Sequence, residues 1–140
     1  MPISDLAEIK DSTLRVDDDL ELEAGVKLTG VFIKAKKLII KSNSVLTDCK
    51  LFSDGVIRIG NDTTIKEDTI LNAFRSISIG NKTIIDRDVF IGGMQSEKSQ
   101  IVVGNNSVIL YRSYLNTTRK ISIGNNVGIG GYCLIFTHSA

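Results

Sequence analysis

The sequence predicts an all-β chain wound as a parallel β-helix. Three observations carry this: a recurring Ile-Gly-Asn start, an aliphatic residue every six positions, and a small or β-branched residue four positions after many of these. The starts are Ile59-Gly60-Asn61, Ile79-Gly80-Asn81, Val103-Gly104-Asn105 and Ile123-Gly124-Asn125, with Ile40-Lys41-Ser42-Asn43 as a weaker relative. From Ile40 onward they are separated by 19, 20, 24 and 20 residues. A repeat of this length indicates stacked units that bury a shared core. A helix needs a period near 3.6 and an ordinary strand one near 2, so a sustained six is one short strand plus one corner.

Each unit can be justified in chain order. The aliphatic hexads run Ile59, Ile65, Leu71; Ile79, Ile85, Ile91; Val103, Ile109, Leu115; and Ile123, Ile129, Ile135. Three hexads close a triangular coil, and each inward aliphatic stacks on its counterpart roughly 4.8 Å away, the strand spacing of a sheet. The small positions Thr63, Thr69, Thr83, Val89, Ser107, Ser113, Val127 and Cys133 complete the inward set. The surplus over 18 residues sits in an Ile-x-Ile step before the glycine, as in Ile77-Ser78-Ile79 and Ile121-Ser122-Ile123. Gly-Asn at the corner is expected because both residues tolerate the left-handed backbone region. The 24-residue spacing is expected to push the polar stretch Gly93–Gln100 out as a loop at one corner. Towards the start, residues 1–21 read as a lead-in or cap and 22–140 as the β-helix domain. Ser4–Lys10 reads either as one short helix capped by Ser4 or as irregular chain. Asp17-Asp18-Asp19 reads as a solvated turn rather than a metal site.

Composition narrows the function. A chain of 140 residues makes one domain, and its 42% apolar content is enough for a core. The formal net charge of +1, with signs mixed along the chain, argues against a nucleic-acid or membrane-surface binder. No apolar run approaches membrane-spanning length, and the first residues are unlike a signal peptide. Cys49 and Cys133 make no disulfide framework and no metal-spaced cluster, so a reducing cytoplasm is expected. Cys133, at a small inward position, reads as a core residue rather than a nucleophile.

The hexads with Ile-Gly-Asn starts resemble the hexapeptide-repeat acyltransferases, over about residues 22–140. The closing stretch Ile123–His138 looks like the one leading to that family's catalytic Thr-His or Gly-His. Sugar and polysaccharide O-acetyltransferases are the closest in pattern. The resemblance implies a left-handed β-helix of five to six coils, a homotrimer with sites between subunits, acetyl-CoA as co-substrate, a saccharide acceptor and no metal. It puts His138, the only histidine, in the role of general base. A hydroxyl is a poor nucleophile at neutral pH, and an imidazole can take its proton as it attacks a thioester.

Stacking the third hexads places Leu115-Asn116-Thr117-Thr118 under Ile135-Phe136-Thr137-His138. Thr118 then lies one rung below His138, and Asn116 and Arg119 are candidate contacts for an acceptor or a phosphate. Asn116 reads equally well as a corner residue bonding its own backbone. Tyr111, Tyr114, Tyr132, Phe90 and Phe136 read as corner packing ahead of subunit contacts or sugar stacking. The family continues past its histidine through coils that build much of the acetyl-CoA groove, whereas this sequence stops at Ala140. A piece of a longer enzyme is therefore expected ahead of a complete protein that has lost the cofactor site. The alternative from another class is a non-catalytic β-helix scaffold. The zinc carbonic anhydrases of this fold need three histidines, and ice-binding β-helices need flat Thr arrays; neither is present.

Overall fold

A computed structural model describes residues 3–138. It holds 20 short strands and, among the described residues, no helix. Every strand pair is parallel, and each strand pairs with the one three places further along the chain. Two sheets of seven strands and one of six result, and they form three faces. The chain crosses all three faces once per turn, for about six turns, and the architecture fits a left-handed parallel β-helix. Among the described residues, no helix is long and apolar enough to cross a membrane.

The hexads set the register. Ile59, Ile79, Val103 and Ile123 are paired rung on rung on the third face, with Ile57, Ile77, Ile101 and Ile121 beside them. Leu46, Ile65, Ile85 and Ile109 form the buried column of the first face, and Leu51, Leu71, Ile91 and Leu115 that of the second. These side chains are almost wholly removed from water, which supplies most of the driving force for coiling so short a set of strands. Gly93–Ser99 bulges from the corner between the second and third faces, as the 24-residue spacing predicts.

Two expectations need correction. Ser4–Lys10 contains no helix. The Ser4 hydroxyl accepts the Leu6 N–H at 3.1 Å, the Ala7 N–H bonds the Ser4 carbonyl at 3.1 Å, and Glu8–Lys10 is a strand paired with Lys27–Thr29. An isolated helix of seven residues is marginal in water, whereas the neighbouring strand edge satisfies the same backbone groups. Ile3 bridges to Leu22, and further along Thr13–Val16 and Leu20–Leu22 pair with Phe32–Ala35 and Lys37–Ile40.

The second correction concerns the Gly-Asn corner. The left-handed residue there is the next one along, Asp62, Lys82, Asn106 or Asn126, and not the glycine. The glycines make room instead. The Asn81 side-chain oxygen accepts the Asn61 N–H at 2.8 Å, Asn105 does the same for Asn81 at 2.7 Å, and Asn125 for Asn105 at 2.7 Å. A Cβ on Gly60, Gly80 or Gly104 would run into the carboxamide of the coil above.

Inside that corner runs a second ladder. Thr63, Thr83 and Ser107 each donate a hydroxyl to the glycine carbonyl of the next coil, at 2.6, 2.7 and 2.8 Å. Each also accepts the backbone N–H of the residue stacked on it. A buried hydroxyl is tolerated here because both its donor and its acceptor capacity are used.

The cysteines occupy one column at the corner between the first and second faces. Burial, with the Asp48 carboxylate adding to it, pushes the Cys49 thiol up to about 12, while Cys133 is half-buried near the last coil. A thiol reagent at pH 8 should therefore modify Cys133 in the native protein and reach Cys49 only on unfolding. Equal labelling rates would mean that the coils open at Cys49.

Candidate active site

The corner between the second and third faces brings the sequence-predicted residues together. Strands Tyr114–Asn116 and Leu134–Phe136 pair with Leu115 against Ile135 and Asn116 against Phe136. Beyond the paired strands the chain turns at Thr118 in one coil and at Thr137-His138 in the next. Thr137 locks this geometry: its hydroxyl donates to the Asn116 carbonyl at 2.9 Å and accepts the Arg119 N–H at 3.0 Å. His138 follows at once and is exposed.

The neighbouring candidates divide into structural and open groups. The Asn116 carboxamide oxygen accepts the Thr118 N–H at 3.0 Å, and its amide donates to the Tyr114 hydroxyl at 3.4 Å. Asn116 is thus the corner residue that bonds its own backbone. Thr118 accepts the Met94 N–H at 3.0 Å and so anchors the Gly93–Ser99 bulge. Gly93 is needed at that contact, because a Cβ would lie 2.6 Å from the Thr118 hydroxyl and 2.7 Å from the Asn116 carboxamide oxygen. Arg119 is exposed and lines a groove with Arg75, Glu97, Lys98, Gln100 and Lys120.

An aromatic column runs along the outside of the second face towards this corner. Phe90 stacks on Tyr114 at 5.3 Å between ring centroids, and Tyr114 meets Phe136 at 5.6 Å. The Phe90 ring covers Gly92, where a Cβ would approach it to 2.7 Å. Tyr111 and Tyr132 lie elsewhere, edge to face at the corner between the first and second faces, with Arg87 and Arg112 over their rings. No protein-family model matches the chain, and no curated protein matches it.

Sequence reading missed the other cations of the groove, Arg75, Lys98 and Lys120. The usable signal was the bulge itself, since a repeat interrupted at one corner places its extra residues beside that corner's residues in the coils on either side. Among the described residues, no group of three or more histidine, cysteine or carboxylate side chains is placed to hold a metal ion.

Proposed function

We propose that this β-helix is an O-acyltransferase, moving an acetyl group from acetyl-CoA to a saccharide hydroxyl with His138 as general base. The observation that carries the reading is an exposed imidazole held at a coil corner. The preceding Thr137 is tied through its hydroxyl to the Asn116 carbonyl and the Arg119 N–H of the coil below, and Arg119 lines a polar groove. Acetyl-CoA supplies the activated acyl carbon as a thioester. In the reaction the imidazole takes the acceptor O–H proton, the oxygen forms the ester bond, the C–S bond breaks and the thiolate leaves as coenzyme A. The exposed Phe136 ring, at the end of the aromatic column, offers a face on which a sugar ring can stack. Assay of thiol release from acetyl-CoA with mono- and oligosaccharide acceptors tests this. Release that depends on the acceptor supports it, and none with any acceptor overturns it.

The same reading includes a homotrimer with parallel helix axes, in which a neighbouring subunit completes the cleft. Leu134 and Phe136 leave apolar surface in water on the second face, and a narrow solenoid gains burial by covering it. Light scattering at micromolar protein should give three times the chain mass; a monomer mass would remove the shared cleft.

A further inference from the structure

We infer that the groove beneath the Gly93–Ser99 bulge is an anion site for a small molecule carrying two or more phosphoryl groups. It has two contiguous parts that share Arg75, Glu97 and Gln100, of about 320 and 650 Å³. Together these fall within the usual size of small-molecule sites. Arg58, Arg75, Lys98, Arg119 and Lys120 line it against a single carboxylate, Glu97, in a chain whose formal net charge is only +1.

The charges are also largely uncompensated. Arg75 reaches Glu97 at 3.9 Å, with both side chains more than half exposed, so that pair contributes little. Among the described residues, the other four cations have no ion-pair partner, although seven ion pairs form elsewhere or at Arg75. Five cations drawn from four coils repel one another, and a multivalent anion between them removes that repulsion. Guanidinium groups suit phosphoryl oxygens because two parallel N–H donors match two oxygens.

The walls and floor point to the same chemistry. The bulge is braced by the Met94 N–H on Thr118, the Gln95 amide on the Asn72 carbonyl at 3.2 Å and the Ser99 N–H on the Ser96 carbonyl at 2.9 Å. Glu97 and Lys98 therefore sit on a supported wall rather than a loose tip. The floor is small and neutral, with Ser76, Ser78 and Val102, and Gln100 donates to the Ser76 hydroxyl at 2.9 Å. No aromatic side chain lines either part, so affinity must come from the phosphoryl groups and not from stacking on a base.

This inference does not depend on acyl transfer, and its test separates the two. Titration calorimetry with inorganic pyrophosphate, at low and at physiological salt, should show saturable binding that weakens as salt rises. Arg75→Gln and Arg119→Gln should each weaken it by about tenfold or more, the loss expected for a charge-assisted hydrogen bond. Lys27→Gln, an exposed lysine on the first face, should leave it unchanged. Coenzyme A and a nucleoside diphosphate form two further arms, and whichever binds more tightly than pyrophosphate identifies the source of the phosphoryl groups. Equal affinity for all three would mean that the phosphates alone are read. Absence of pyrophosphate binding, or equal weakening by Lys27→Gln and by the groove variants, would overturn the proposal. The groove residues are exposed, so unchanged melting curves will show that the variants remain folded.

Discussion

His138→Ala is expected to lower acetyl transfer by about 10²–10⁴-fold, the usual contribution of a positioned general base. Thermal stability should be almost unchanged, because His138 is exposed and an exposed side chain of this kind supports little packing. The fall should appear in kcat more than in KM, since proton removal is needed in the transition state and not for acceptor binding. Thr137→Val is the informative companion. It keeps the imidazole but removes the hydroxyl that joins the Asn116 carbonyl to the Arg119 N–H, so it should loosen the corner and reduce both activity and stability. Initial rates with acetyl-CoA and a competent acceptor are the measurement. Equal rates for wild type and His138→Ala would end the assignment of the base, and a scaffold would be indifferent to either change at the level of chemistry.

Gly80→Ala should be clearly destabilising, and Gly124→Ala, the same change at the equivalent corner, close to neutral. An added Cβ on Gly80 lies 2.7 Å from the backbone carbon and oxygen of Gly104 as well as against the Asn105 carboxamide. Backbone cannot rotate away, so two coils must separate locally, at a cost of about 1–3 kcal/mol for overpacking, together with the Asn105 to Asn81 bond. Gly124 has nothing within 4 Å of an added Cβ, and its backbone is not in the left-handed region. There the smaller entropy of an unfolded alanine should act alone, stabilising by a few tenths of a kcal/mol, up to about 1. Denaturant melts of the two variants decide this. Equal destabilisation would mean that glycine is required for its conformation, and the steric account would fail.

Much of the fold was legible before any coordinate, because a solenoid turns tertiary contact into sequence period. A residue's neighbour in the next coil lies one repeat away, so the spacing of Ile59, Ile79, Val103 and Ile123 was itself a statement of contact, and they pair as expected. The interruption before Val103 likewise located the bulge. His138 was singled out through resemblance and by being the only histidine.

What tertiary structure alone decided lies where side chains from different coils meet. Ser4–Lys10 carries a capping serine and a local pattern compatible with a helix, yet the open edge at Lys27–Thr29 offered its backbone a partner that an isolated helix lacks. The glycines of Ile-Gly-Asn looked conformational and are steric, because the atom that requires them belongs to an asparagine one coil above. The groove is the clearest case. Arg58, Arg75, Lys98, Arg119 and Lys120 share no motif and are separated by irregular intervals, and only stacking at a widened corner gathers their charges into one field. By itself the sequence determined the coil, its registers and its one interruption, since these depend on which residues turn inward at a fixed period. The outward surface has no period, so its chemistry was settled by which cations the stacking of coils left side by side.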